Sequence, residues 1–274
     1  MIHFVGAGSG AADLITLRGA CLLRAADVVV WAGSLVNPEL LGECKESCEI
    51  HDSARMTLEE VLDVMCAADA RGLEVVRLHT GDPCLYGAIQ EQMDALAERG
   101  VAFDVVPGVS SFCGAAAALR QEYTLPGISQ SVVITRLQGR TPMPAGEDMG
   151  TMAKSGSTMV IFLSSGMLEA LASELLAAGR AADEPAALVY KATWPDEKVV
   201  RCTVATLTAA AREAGIDRTA LVVVGRVLGA SACRAHEGNA CGAEASAPAS
   251  SGEAYERSKL YDPAFTTGYR KAVK

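Results

Sequence analysis

The chain has 274 residues, enough for two domains of ordinary size. Half are hydrophobic, 5% are aromatic, and the formal net charge is -9. That acidity excludes nucleic acid as a general partner, although a local basic cluster can still hold a small anion. Residues 1–5 lack the basic start of a secretory signal, and no apolar stretch has the length to span a bilayer. We therefore expect a cytoplasmic chain with no membrane partner. Cysteines at 21, 44, 48, 66, 84, 113, 202, 233 and 241, an odd number without a framework, read as reduced thiols.

Short apolar runs alternate with helical patterns, the rhythm of a parallel sheet. Residues 2–5 form a run before a glycine turn, and runs at 28–31, 75–78 and 103–106 follow. Thr57 and Glu60 form a capping box for a helix that carries Leu58, Val61, Leu62 and Met65 on one face. A second helix spans 89–99 and is closed by Gly100. A small-residue helix is predicted at 114–119. The pattern restarts after Leu125-Pro126-Gly127, with strands at 131–135, 159–163, 187–190, 199–203 and 221–224. Helices are predicted at 167–178 and 206–214, and a polar loop at 138–150. We expect domains at 1–116 and 117–230, then a flexible linker over 231–257 rich in Ala, Ser, Gly and Glu. A tail at 258–274 carries Leu260, Tyr261, Phe265 and Tyr269, and is expected to dock on the body or on a partner subunit.

Three loops follow predicted strands. Gly6-Ala7-Gly8-Ser9-Gly10 suits either a Rossmann dinucleotide turn or a plain strand-to-helix connection. The Rossmann reading lacks its acidic residue, because the second strand ends Val30-Trp31-Ala32. His79-Thr80-Gly81-Asp82-Pro83-Cys84-Leu85-Tyr86-Gly87 contains a natural helix start, with Asp82 as N-cap and Pro83 in the first turn. It also opens the backbone for a ligand and offers a carboxylate to a cation. Pro107-Gly108-Val109-Ser110-Ser111 reads first as a helix cap. Cys44, Cys48 and His51 fall short of a four-ligand zinc site, so no metal is expected. There is no Gly-x-Ser-x-Gly elbow and no Walker lysine.

Together these loops resemble the tetrapyrrole methylase family, which opens with a strand and Gly-x-Gly-Pro-Gly, here with Ser9 in the proline position. Gly81-Asp82-Pro83 and Pro107-Gly108-Val109-Ser110 match its other two loops, and the resemblance covers residues 1 to about 229. Further stretches are similar to the branch that methylates C-11 of precorrin-4 or cobalt-precorrin-4 in cobalamin biosynthesis. They are Ala32-Gly33-Ser34-Leu35-Val36-Asn37-Pro38, His51-Asp52-Ser53-Ala54, Gly139-Arg140-Thr141-Pro142 and Leu260-Tyr261-Asp262-Pro263.

The resemblance implies an α/β fold of two α/β domains. The N-terminal domain has a parallel sheet and the C-terminal domain a mixed sheet, with the donor site in the cleft between them. It implies S-adenosylmethionine as methyl donor, a precorrin substrate, no protein-bound metal and a homodimer. Donor contacts carried over by motif are Ser9, Gly81, Asp82, Pro83, Tyr86, Ser110, Ser111, Leu163 and Ala192. Because the substrate carries many carboxylates, Arg55, Arg77, Arg136, Arg140 and Lys191 are candidates to bind it. No catalytic base is assigned. Methylation at another ring position, a nicotinamide-dependent Rossmann enzyme and a non-catalytic binding protein are the competing readings.

Overall fold

The computed structural model describes residues 1–230, 255–256 and 258–273. The expected linker, apart from residues 255 and 256, lies outside the described residues. The chain divides into two compact units. The first is Met1–Ala117 with Lys191–Glu197; the second is Ala118–Tyr190 and the chain from Lys198 onward.

The first unit holds strands β1 (Ile2–Gly6), β2 (Val28–Trp31), β3 (Glu49–Asp52), β4 (Val75–His79) and β5 (Phe103–Val106). They pair in the order β3-β2-β4-β1-β5, all parallel. Helices α1 (Leu17–Ala25), α2 (Leu58–Ala70) and α3 (Gln90–Glu98) cover the sheet, and α4 (Ser111–Leu119) follows β5. Alternate residues of each strand face opposite layers. Ile2, Phe4, Val28, Val30 and Val75 pack with Val61, Leu62 and Met65 of α2. Val5, Val29, Val76 and Leu78 pack with Leu23 of α1 and with Leu40. Burial on both faces is why these strands read as continuous apolar runs. The Thr57–Glu60 capping box is formed in full. β3 was not legible in the sequence: Glu49, Ile50 and Asp52 are exposed, and the strand exists through backbone pairing with β2 at the sheet edge.

The second unit holds β6 (Val132–Arg136), β7 (Thr158–Phe162), β8 (Pro185–Tyr190), β9 (Lys198–Thr203) and β10 (Ala220–Val224). Their order is β6-β7-β10-β8-β9, with β6 and β7 parallel and the other pairs antiparallel. Helices α5 (Met149–Ala153), α6 (Leu168–Ala177) and α7 (Leu207–Ala214) enclose a core that includes Met159, Ile161, Leu171, Leu175, Leu207 and Val222. The expected loop over 138–150 ends sooner, because Asp148 caps α5 through the Thr151 N–H. Arg180 and Glu184 form a buried ion pair at 2.6 Å. Arg180 also donates to the Ala153 and Ser157 carbonyls at 2.8 and 2.7 Å, so the buried charge is fully engaged.

The tail joins this unit through Glu256, whose N–H donates to the Pro126 carbonyl at 3.0 Å. Arg270 donates to the carbonyls of Leu260 and Asp262 and folds the tail on itself. Leu260, Tyr261 and Tyr269 are exposed in the single chain. Among the described residues, no helix is long and apolar enough to cross a membrane.

Candidate active site

Parallel strands deliver their carboxyl ends to one edge, and β1 lies between β4 and β5. The loops after these three strands therefore meet, although their sequences lie far apart. Gly8 and Gly81 exchange backbone hydrogen bonds, Gly8 N–H to Gly81 O at 3.3 Å and Gly81 N–H to Gly8 O at 2.9 Å. A Cβ on Gly6 would sit 2.6 Å from Gly108 Cα and from Gly81 O, so only glycine admits this approach. Gly81 also lies beside Ser110 and Ser111, the start of α4.

Asp82 ties the second and third loops together. One carboxylate oxygen accepts the Cys84 N–H and the other accepts the Gly108 N–H, each at 2.9 Å. The expected helix N-cap is thereby corrected: Asp82 forms a local turn, and α3 begins only at Gln90. Burial pushes the Asp82 carboxyl up, but the hydrogen bonds from Cys84 and Gly108 outweigh it and hold the group below the ordinary carboxylate value. Asp82 is therefore ionised at neutral pH. Tyr86 and Ala88, just beyond Pro83, adopt positive φ of 57° and 50°. Such backbone costs about 1–3 kcal/mol per residue and gathers at functional sites.

The first loop does not open a helix as a Rossmann turn does. A 3-10 turn, Ala12–Leu14, intervenes, and α1 starts at Leu17 behind its Thr16 cap. β4 also separates β1 from β2, so the end of β2 is not beside the glycines. Residues that the sequence reading missed hold this loop instead. Asn37 donates to the Gly10 carbonyl at 2.9 Å. The Thr193 hydroxyl lies 3.1 Å from that of Ser9 and accepts the Ala11 N–H at 3.0 Å. Ala192, expected as a donor contact, is buried, and its carbonyl faces Gly10. Thr193 and Ser9 stand 184 positions apart, so no local sequence pattern joins them.

Ser9, Gly81, Asp82, Pro83, Ser110, Ser111 and Ala192 thus gather in the first unit, with Tyr86 46% exposed beside them. Leu163, also expected at the site, belongs to the second unit, 63% exposed at the end of β7 with φ of 52°.

The basic candidates scatter. Arg77 is corrected by its burial at 6% exposure: its guanidinium donates to Gln92 Oε1 and to the Val30 carbonyl inside the first unit. Its place inside the apolar run of β4 is that of an interior residue. Arg55 is exposed after β3, and Lys191 pairs with Asp196 at 2.6 Å. In the second unit, Arg136 donates to the carbonyls of Leu137, Thr141 and Pro142 and so braces the loop it opens, while Arg140 in that loop is exposed.

His79 is buried against Phe4, with its Nε2 lacking a partner. Burial, then Arg77, pushes its pKa down to about 3, which keeps the ring neutral. Cys44 and Cys48 lie side by side, and burial, then Cys48, pushes the Cys44 thiol up to about 11. Among the described residues, no three His, Cys, Asp or Glu side chains are placed to hold a metal.

Known proteins fit this arrangement. The sequence profile of the Tetrapyrrole (Corrin/Porphyrin) Methylases matches residues 1–208. A cobalt-precorrin-4 C(11)-methyltransferase of Methanocaldococcus jannaschii is 45% identical over 273 residues, covering 100% of this chain and 97% of the relative. The X-ray structure of a cobalamin biosynthetic enzyme, cobalt precorrin-4 methyltransferase, superposes with a TM-score of 0.81 at 45% identity, covering 83% of this chain and 95% of that one. A uroporphyrin-III C-methyl transferase from Thermus thermophilus, solved with S-adenyl homocysteine, gives a TM-score of 0.69 at 27% identity, covering 83% and 92%. The glycine loops, their meeting at one sheet edge and these likenesses agree, and the chain belongs to the tetrapyrrole (corrin/porphyrin) methylase family.

Proposed function

We propose that this chain transfers the methyl group of S-adenosylmethionine to C-11 of precorrin-4 or cobalt-precorrin-4 in cobalamin biosynthesis. The observation that carries the reading is the full-length likeness to a cobalt-precorrin-4 C(11)-methyltransferase. The donor is supported by the family and by the homologous structure holding S-adenyl homocysteine.

The loops suit such a donor. Their touching faces are glycine backbone, and the ionised Asp82 favours a cationic ligand nearby. In this reading Ser9, Gly81, Asp82, Pro83, Tyr86, Ser110, Ser111 and Ala192 hold the donor, joined by Leu163. S-adenosylmethionine would supply a methyl group on its sulfonium, which a ring carbon of the substrate would take as the S–CH3 bond breaks and neutral S-adenosylhomocysteine leaves. The residues' part is to align the partners and exclude water, which contributes on the order of 7–11 kcal/mol in well-oriented systems. Arg55, Arg136, Arg140 and Lys191 take the substrate carboxylates, and the loop opened by Arg136 acts as a flap over the macrocycle. Arg77 has no part, its guanidinium being engaged by Gln92 and the Val30 carbonyl inside the first unit. The reading includes a cytoplasmic homodimer, which sedimentation of the purified protein tests as to assembly.

The deciding experiment incubates the protein with a 13C-methyl donor and precorrin-4, metal-free or cobalt-loaded. NMR is expected to place the new methyl at C-11. A methyl on another ring carbon assigns a different family activity, and no methylated ring with either substrate overturns the reading.

A further inference from the structure

The segment Lys191–Glu197 joins β8 to β9 in sequence, yet it belongs to the first unit. It is braced from within. Trp194 N–H donates to the Lys191 carbonyl and Glu197 N–H to the Trp194 carbonyl, each at 3.0 Å. Thr193 N–H donates to Glu197 Oε2 at 2.6 Å, and the Lys191 ammonium lies 5.3 Å from the centre of the Trp194 ring while pairing with Asp196. Lys191 and Thr193 both adopt positive φ, 44° and 68°. For a β-branched residue that conformation is a marked outlier, and it persists only where the surroundings impose it.

What the strained turn achieves is the placement of one hydroxyl. Thr193 Oγ1 accepts the Ala11 N–H and meets Ser9 Oγ, so it grips the first glycine loop on both sides of Gly10. The Trp194 ring covers Gly10 itself, leaving no room there for a Cβ. Gly8 and Gly10, at φ of 87° and 156°, give the loop no stiffness of its own.

We infer that Lys191–Glu197 is a positioning strap for the first donor loop, and that the Thr193 hydroxyl sets that loop in the shape that binds S-adenosylmethionine. This rests on the reading of the loops as the donor site. Thr193 is a positioning residue: it acts through Ser9 and Ala11. Removing its hydroxyl leaves the Ala11 N–H without its acceptor and releases Ser9 together.

The test measures S-adenosylhomocysteine affinity by calorimetry, donor and tetrapyrrole KM, and melting temperature on the full chain. Thr193→Val is expected to weaken the ligand and raise the donor KM about tenfold, with tetrapyrrole KM and melting temperature held. Thr193→Ser, which keeps the hydroxyl, is expected to recover affinity to within about twofold of the parent. Thr193→Ala, which loses the same hydroxyl, is expected to match Thr193→Val in its loss of affinity. The Thr193→Ala result stands by itself if Thr193→Val does not fold: unchanged affinity there overturns the proposal. Parental affinity in Thr193→Val overturns it, as does a loss that Thr193→Ser does not recover or that follows the melting temperature. A parent protein that binds no S-adenosylhomocysteine instead removes the donor reading, and the strap with it.

Discussion

The two units carry five-stranded sheets that differ in direction. In the first, every strand runs the same way, so the turns after β1, β4 and β5 converge at one edge. In the second, three of four pairings are antiparallel: β6, β7 and β8 run one way and β9 and β10 the other, so the turn after β9 leaves from the end opposite the turns after β6, β7 and β8. A parallel sheet thus concentrates chemistry from distant parts of a sequence at one edge. The reversed strands of the second sheet divide its turns between the two ends. The first unit accordingly bears glycine loops and an ionised aspartate, whereas the second bears a buried, fully satisfied ion pair and an arginine-braced loop.

The largest effect should come from the second unit's interior. Arg180→Ala leaves Glu184 buried without its partner and should cost about 3–5 kcal/mol of stability, read by denaturant unfolding. A cost under about 1 kcal/mol would show that the pair is not the brace the comparison assigns to that unit. Next, Asp82→Ala removes the acceptor shared by Cys84 and Gly108. It should raise the donor KM about a hundredfold, with a smaller loss of stability than Arg180→Ala. Equal losses of stability in the two variants would erase the contrast between a bracing unit and a site-bearing one.

Arg136→Ala frees three carbonyls of the loop it opens and should raise the tetrapyrrole KM about tenfold with the donor KM unchanged. An unchanged tetrapyrrole KM would falsify its role.

The smallest expected effect is a dependence on pH. The folded value of His79 lies below its ordinary 6.5, so the unfolded chain takes up the proton first as pH falls. Its contribution to stability is complete well above pH 6.5 and is lost downward toward about 3. Between pH 6.5 and 5.5 this amounts to about 1 kcal/mol, to be read as the part of the parent's pH dependence that His79→Gln lacks. Parallel curves for the two proteins would assign the buried ring no such role.

Much of this arrangement was legible in the chain itself. Buried strands announce themselves as apolar runs because both faces are covered, and the Thr57 box specifies a helix by purely local hydrogen bonds. The three loops were legible because close backbone approach demands glycine, as at Gly6 and Gly108. What the sequence left open were contacts between distant residues. Exposed β3 is placed by backbone pairing with β2. Arg77 follows the alternation of β4 into the interior, where a carboxylate cannot reach it. Asp82 spends its carboxylate on Gly108, 26 residues away, instead of on a helix. Local bonding and burial write themselves into periodicity and residue type, whereas the grip of Thr193 on Ser9 depends on the path of the chain between them, which only the folded sheets define.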